Sequence, residues 1–318
     1  MKLFEHPEFE QLILAAESHF NLKGLTAAAI EKDYFVTEAL RLIALNHGEH
    51  VIFKGGTSLS KGWDIIQRFS EDVDLFLDPD SYSPTIGAKK VDRELKAVRD
   101  TISKHPGLAW NQTDSRTFGG SARSDYFLYE PRFPGRLRPS VFLEAGIASG
   151  RQPTEVVKLE SYVARFLRET SRSLGSEDET SFEMRLLHFR RTFVEKLFAI
   201  HGKILAYLRE GRPLGTYARH YYDLYMLAQK PEVIYMLESS EYEELRIDYD
   251  GVSRRFFSKF YEPPEGLRFY NSPALFPDPE LNKVIKEQYQ EQCSLLCFGD
   301  YPSWERVAEC FAALRKLL

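Results

Sequence analysis

The chain has 318 residues, and its 42 basic and 47 acidic side chains give a formal net charge of −5. With a hydrophobic fraction of 43%, this length supports one large or two ordinary globular domains and excludes disorder of the whole chain. No apolar run approaches the roughly 18 residues that a membrane span needs, and the first residues are too acidic for a secretory signal. We therefore expect a cytoplasmic protein with no membrane partner.

Charge and cysteine usage exclude further classes. The net negative charge argues against a protein that coats nucleic acid by bulk attraction, but it is compatible with a local basic surface around a nucleic-acid substrate. Cys293, Cys297 and Cys310 lie near the C-terminus without a C-x-x-C pair. We therefore expect neither a disulfide framework nor a structural zinc site.

The N-terminal part predicts helices followed by two strands. Apolar residues recur at helical spacing over residues 7–46. The short apolar run at residues 50–53 and the glycine pair after it predict a buried strand, a tight turn and a helix that begins near Thr57 and occupies residues 59–67. Residues 72–77 show the period-2 alternation of a second strand.

The middle of the chain predicts one helix and one hairpin. Residues 87–105 have the charge-rich amphipathic pattern of an exposed helix. Residues 124–130 and 140–147 flank the turn-rich sequence PRFPGRLRP and predict two paired strands. The second of these strands carries one carboxylate, Glu144, inside an apolar run.

From about residue 154 onward the pattern is predominantly helical, with loops at residues 170–180 and 262–279. The second loop holds five prolines, which predicts a segment that wraps over the surface or forms a lid. The sequence thus predicts an α/β (α+β) protein. We expect residues 1–150 to form N-terminal helices and an α/β core, and residues 151–318 to form a helical domain that walls the cleft.

The glycine pair predicts half of a phosphate site. A Gly55-Gly56 turn before a helix directs backbone N–H groups and the positive end of the helix dipole at an anion. The hydroxyl of Thr57 or Ser58 can add a further hydrogen bond. The alternative is that the glycine pair is only a turn, as most such pairs are.

Three carboxylates predict a metal site. Asp72 and Asp74 are two residues apart on a strand, so both point to one face, about 6 to 7 Å apart, and can share divalent cations. Glu144 is the natural third ligand, and Mg²⁺ or Mn²⁺ held by three acids can align an attacking oxygen with the α-phosphate of an NTP. The alternatives are a solvated face for the two aspartates and a solvent-directed side chain for Glu144.

The order of these motifs resembles that of the polymerase β-like nucleotidyltransferase superfamily. More narrowly, KGGTSLSK followed by RFSEDVDLFL is similar to the AbiEii/MenT toxin family of abortive-infection and toxin–antitoxin systems. The resemblance extends upstream to the E-K-D-Y stretch at residues 31–34. Downstream, residues 195–199 and 219–224 resemble the third and fourth motifs of the family.

The resemblance implies a nucleotidyltransferase mixed-sheet core and a set of functional residues. The catalytic residues would be Asp72, Asp74, Lys196 and Asp223; the nucleotide and phosphate ligands Lys54, Gly55, Gly56, Thr57, Ser58 and Ser70; and the metal ligands Asp72, Asp74 and Glu144. From the pattern alone, Lys196 can equally be a solvated lysine, and Asp223 can pair with Arg219 one helical turn earlier. Ser70 is placed like a serine that certain antitoxins of the family modify, although it can also be an ordinary turn serine.

The resemblance also implies a function. The chain would be a Mg²⁺-dependent toxin of a toxin–antitoxin or phage-defence system that transfers NMP from an NTP to an RNA acceptor, with the tRNA 3′ end as the expected target and a cognate antitoxin as partner. Basic residues among aromatic ones would suit RNA phosphates, or else form a solvated helix face: Arg185, His188, Arg190, Arg191, Lys203, Arg209, Arg212, Arg219 and His220. The alternatives are an enzyme that modifies a protein or a small molecule such as an antibiotic, and a non-catalytic nucleotide-binding regulatory module.

Overall fold

The computed structural model describes residues 1–21, 24–70, 72–135 and 137–318, so Glu71, inside the RFSEDVD motif, lies outside the described residues. Two compact units alternate along the chain. The first comprises Met1–Asp64, Ser70–Ile147 and Thr154–Leu187, and the second comprises Ile65–Phe69, Ala148–Pro153 and His188–Leu318. Each unit is internally packed, and the predicted domain boundary at residue 150 stays a prediction.

The first unit contains a mixed sheet. In the described residues its strands are β1 (Val51–Lys54), β2 (Asp72–Leu77), β3 (Ala109–Phe118), β4 (Ala122–Leu128), β5 (Ser140–Gly146), β6 (Thr154–Leu159) and β7 (Phe182–Leu187). Their order across the sheet is β3-β4-β5-β2-β1-β7-β6. The pairs β2/β5 and β1/β7 are parallel, and the other neighbours are antiparallel. The predicted α/β class and the predicted hairpin of β4 with β5 are confirmed.

Helices cover this sheet within the first unit. They are α1 (Phe9–His19), α2 (Ala27–His47), α3 (Gly55–Lys61), α4 (Ala88–Ile102) and α5 (Tyr162–Glu169). The side chain of Thr26 caps α2 by accepting the backbone N–H of Ala29. Helix α2 contacts β5 and β7, and α4 contacts β4. Burial of the apolar helix and sheet faces in this layer stabilises the unit and holds the strands in register.

Two segments that we predicted as helical are strands. Residues 154–159 form β6 and residues 182–187 form β7, and the two strands pair with each other. In β7, Phe182, Met184 and Leu186 are buried while Glu183 is exposed, which is a period of two. In runs this short the apolar spacing fits either period, so pairing with a neighbouring strand decided the structure.

The helix that we predicted over residues 59–67 is shorter. Helix α3 begins at Gly55, not near Thr57, and ends at Lys61. Residues 65–69 belong to the second unit. There the backbone N–H of Phe69 donates to the carbonyl of Leu296 at 2.9 Å, and the N–H of Phe298 donates to the carbonyl of Gln67 at 3.1 Å. Gly62 follows the last helical residue and Asp64 has a positive φ of 49°, so the chain leaves the helix before this pairing begins.

The second unit is helical in its described residues. Its helices are α6 (Phe189–Glu210), α7 (Arg219–Ala228), α8 (Pro231–Leu237), α9 (Ser240–Phe257), α10 (Pro279–Leu296) and α11 (Trp304–Leu314). The predicted loop at residues 262–279 is confirmed and contains one 3-10 turn, Glu265–Leu267. No helix in the described ranges of the chain is long and apolar enough to cross a membrane.

Candidate active site

Lys54, Asp74 and Glu144 stand in one row across the sheet. Antiparallel pairing of β1 with β2 places Lys54 opposite Asp74. Parallel pairing of β2 with β5 places Glu144 opposite Asp74 from the other side. Register partners point to the same face of a sheet, and Asp72 shares that face because it is two residues from Asp74. The alternate residue Val73 is fully buried, so the acidic face of β2 is the more open one.

The glycine turn packs directly against one of these acids. Gly55 has a φ of +77°, and a Cβ built on it would lie 1.9 Å from Oδ2 of Asp74. A side chain at position 55 would therefore need both a strained backbone and the space that the carboxylate occupies. Glycine at this position therefore leaves room for the carboxylate of Asp74 beside the turn.

The hydroxyls of the predicted phosphate site bond to the backbone of the same unit. The hydroxyl of Thr57 donates to the carbonyl of Asp72 and lies 3.3 Å from the carbonyl of Ser70. The hydroxyl of Ser58 donates to the carbonyl of Gly55 at 2.9 Å. These bonds tie α3 to the start of β2, and a phosphate-binding role for Thr57, Ser58 and half-buried Ser70 stays a prediction.

The donor chemistry of the acidic face fits a hard divalent cation. Asp72, Asp74 and Glu144 offer carboxylate oxygens, the ligands that Mg²⁺ and Mn²⁺ prefer. Across the described ranges, no three His, Cys, Asp or Glu side chains stand close enough together to hold one metal ion. The strand register therefore aligns suitable donors on one face without assembling a complete three-ligand cage.

A second constellation lies in the helical unit and centres on Asp223. This side chain is fully buried, and the guanidinium of Arg68 donates to both of its oxygens at 2.6 and 2.7 Å. The ammonium of Lys196 lies 2.8 Å from Oδ2 of Asp223 and 3.1 Å from Nδ1 of His220. Asp223 on α7 thus holds the ammonium of Lys196 on α6 by an ion pair.

Burial and charge set the protonation of this cluster. Burial raises the pKa of the Asp223 carboxyl, but the charges of Arg68 and Lys196 outweigh burial and hold that pKa well below its usual range. Burial lowers the pKa of Lys196, and Asp223 opposes that shift. Burial and the nearby Lys196 lower the pKa of His220 to about 3. His220 is therefore neutral at pH 7 and can accept a hydrogen bond from Lys196.

Arg68 is the member of this cluster that the sequence pattern did not single out. It is 2% exposed and lies 155 positions before its partner in the chain. A signal was present, because Arg68 opens the RFSEDVD motif that carries the family resemblance. A charged residue inside an otherwise specific motif is a candidate for a buried pair.

Several basic residues that we predicted as RNA contacts form ion pairs within the second unit, and they differ in how exposed they are. Arg191 has a side chain 2% exposed, donates to the carbonyl of Gln152 at 2.9 Å and pairs with Asp248 at 2.6 Å. It is a structural cation, so its assignment to an RNA surface is wrong. Arg212, by contrast, has a side chain 71% exposed and pairs with Glu210 at 2.6 Å.

The predicted site residues thus fall into two sets. The first unit groups the acids, Lys54 and the glycine turn, and the second unit groups Lys196 and Asp223 with Arg68 and His220. Their catalytic and binding roles stay predictions.

Comparisons with known proteins point to one family. A family model described as nucleotidyl transferase AbiEii toxin, type IV TA system, matches residues 40–310, well over half of the chain. Among solved structures, the chain is similar to MenT4, a nucleotidyltransferase toxin from Mycobacterium tuberculosis H37Rv. The TM-score is 0.51 and the identity 16%, over 96% of this chain and 95% of that one, which is a likeness of fold. A search of the curated proteins finds no match.

Proposed function

Because the chain belongs to the AbiEii family of nucleotidyltransferase toxins of type IV toxin–antitoxin systems, we propose that it uses Mg²⁺ or Mn²⁺ to transfer NMP from an NTP to the 3′ end of tRNA. The 3′ hydroxyl would form the new bond to the α-phosphate, and pyrophosphate would leave. The observation that carries this proposal is the row Lys54, Asp74 and Glu144, with Gly55 packed against Asp74. A glycine turn and an acidic strand in direct contact are the parts that polyphosphate chemistry needs.

The three acids on the open face of β2 and β5 would hold the metal. When bound, Mg²⁺ neutralises charge on the triphosphate and favours an oxygen nucleophile at the α-phosphate. Asp72, Asp74 and Glu144 would supply carboxylates for that ion from one sheet face. Lys54 adds a point charge beside Asp74, and the bare backbone of Gly55 and Gly56 can approach phosphate oxygens closely.

Lys196 is our proposed ligand for triphosphate oxygens. Two cations, Arg68 and Lys196, face the single carboxylate of Asp223, and His220 is neutral at pH 7, so the cluster has more positive than negative charge. Asp223 orients Lys196 and opposes the lowering of its pKa by burial. An oriented ammonium attracts phosphate without the entropy cost of ordering a free lysine.

The acceptor and the partner follow from the proposed chemistry. NMP added to the 3′ end of tRNA would prevent aminoacylation, so translation and growth would stop, as a phage-defence toxin requires. The activity would then be cytoplasmic. The partner is a cognate antitoxin, which membership in a type IV family implies, and it would act by contact or by modification of Ser70, two residues before Asp72.

Labelled nucleotide tests this proposal. The chain would be incubated with Mg²⁺ and each α-labelled NTP, together with total tRNA, total protein or antibiotics. We expect label in tRNA, none in periodate-oxidised tRNA that lacks the 3′ cis-diol, and none with Asp72→Asn. Label on protein or antibiotic would identify the alternative acceptors, and reversible retention without transfer would identify a nucleotide-binding module.

A further inference from the structure

The E-K-D-Y stretch at residues 31–34 has no part in the chemistry described above, yet each of its side chains bonds to another segment of the first unit. Apart from Asp33, the contacts are Glu31 with the backbone N–H groups of Arg132 and Phe133, Lys32 with the carbonyl of Arg138, and Tyr34 with the carboxylate of Asp178. Glu31, Lys32 and Tyr34 are buried. The start of α2 therefore serves as an internal attachment point.

Asp33 attaches this helix to the glycine-rich motif. Its Oδ1 lies 2.6 Å from Nζ of Lys61, and its Oδ2 accepts the backbone N–H of Tyr162 at 2.9 Å. Lys61 also donates to the carbonyl of Glu160 at 3.2 Å. The side chains of Asp33 and Lys61 are 14% and 6% exposed, so the pair is shielded from water and from screening by salt.

Lys61 is the last residue of α3, and Gly55 is the first. The helix has seven residues, about two turns, and its backbone hydrogen bonds link the first turn to the last. A displacement of Lys61 is therefore transmitted to Gly55. One end is held by the Thr57 hydroxyl on the carbonyl of Asp72. The other end is held by Asp33 through Lys61.

We propose that Asp33 is a positioning residue for nucleotide transfer, which it serves by holding Lys61 and thereby fixing α3 and the Gly55-Gly56 turn against Asp74. This inference rests on the proposed function, because an effect on turnover requires that the chain transfers nucleotides. A displacement of about 1 Å at a substrate-positioning element costs on the order of a hundredfold in rate. The Asp33–Lys61 pair lies about two helical turns from Gly55, so its loss should move the glycine turn by less than about 1 Å and lower the rate by less than about a hundredfold.

Asp33→Asn removes the charge that holds Lys61 and retains the shape of the side chain. We expect kcat/KM for NTP to fall about tenfold or more, mainly through a higher KM, because the turn that would contact the phosphates is displaced. Lys61→Met should reproduce this loss, and Lys61→Arg, which keeps the charge, should restore most of the activity. The double variant should be no worse than either single variant, because both remove one interaction.

Glu31→Gln is the matched control. It replaces another buried carboxylate on the same helix, but one that holds residues 132 and 133 instead of α3. We expect a loss of thermal stability similar to that of Asp33→Asn with kcat/KM within about threefold of wild type. Equal losses of kcat/KM in Glu31→Gln and Asp33→Asn would assign both residues to general stability and overturn the proposal.

The outcome is separable from that of the proposed function. If the wild-type chain labels no acceptor, nucleotide transfer is refuted. The effect of Asp33 on NTP binding would then be measured by the rise in Tm on adding Mg²⁺ and NTP. A smaller rise in Asp33→Asn than in Glu31→Gln supports the proposal. Equal rises in wild type and Asp33→Asn, or an unchanged kcat/KM in an active enzyme, overturn it.

Discussion

The carboxylate of Asp74 occupies the space where a side chain on residue 55 would begin, 1.9 Å from the ideal Cβ position of Gly55. The glycine turn at residues 55–56 and the strand β2 are separate in sequence, and this contact fixes their positions relative to each other. The positive φ of Gly55 adds a second reason for glycine, since other residues are strained in that conformation.

Gly55→Ala should therefore displace Asp74 as well as strain the turn. We expect transfer to fall by about a hundredfold or more and the free energy of unfolding to fall by about 1–3 kcal/mol. Gly202→Ala is the control, because Gly202 lies within α6 with open space around its Cβ position and should be neutral or slightly stabilising. Steady-state kinetics and thermal melts of both variants test this, and equal activities would show that the contact is unimportant.

Asp72→Asn and Asp74→Asn should each abolish transfer while the fold persists. Removal of one metal-binding charge is expected to lower kcat by at least about a hundredfold. Asp80→Asn, in the exposed turn after β2, removes a carboxylate outside the row and should leave activity intact. Growth arrest on expression is the cellular measurement. If both Asp72→Asn and Asp74→Asn remain as toxic as wild type, the metal assignment is refuted.

Lys196→Met should weaken NTP binding at least about tenfold, or 1.4 kcal/mol, if its ammonium contacts the triphosphate. Methionine fills the same volume, but it leaves the charges of Asp223 and Arg68 paired with each other only. Lys283→Met, at an exposed position of α10, is the control for loss of one positive charge. Titration calorimetry with Mg²⁺ and each NTP gives the affinities, and identical values for wild type and Lys196→Met would exclude a phosphate contact.

Two arginines of the second unit should respond differently to replacement. Arg191→Met removes the ion pairs with Asp248 and Glu195 and the hydrogen bond to the carbonyl of Gln152, so the free energy of unfolding should fall by about 1–2 kcal/mol. Arg212→Glu, at an exposed side chain, should change stability by only about 0.5 kcal/mol. If Arg212 contacts RNA, its charge reversal should lower tRNA labelling and reduce the salt dependence of binding by about one ion. Unchanged labelling at two salt concentrations would place RNA elsewhere.

His220 should make stability depend on pH below neutrality. Its pKa is about 3 in the folded chain, whereas an unfolded histidine titrates near 6.5, so the unfolded state binds more protons between those values. Stability is therefore lost as pH falls through this window. Between pH 7.5 and pH 5, wild type should lose about 2 kcal/mol more than His220→Asn, which cannot take up the proton. Denaturant unfolding at both pH values measures this, and parallel losses would mean that His220 does not contribute.

Local sequence determined the parts of the candidate site. The alternation of residues 72–77, the glycine pair and the order of the motifs depend only on neighbouring residues, so a period-2 strand with both aspartates on one face was predictable. The same local patterns identified Lys196 and Asp223 through their resemblance to family motifs. The same patterns led to the wrong assignment of residues 154–159 and 182–187 as helical, because a short apolar run fits both the helical and the strand period.

Only the tertiary structure decided which of these parts meet. Glu144 stands beside Asp74 because β5 pairs in parallel with β2 in one register, and a shift by one residue would turn its carboxylate to the other face. Arg68 reaches Asp223 across 155 positions of the chain, and Asp33 reaches Lys61 from another helix. Periodicity reports only the local environment of a residue, whereas register and buried ion pairs depend on the free energy of bringing distant segments together.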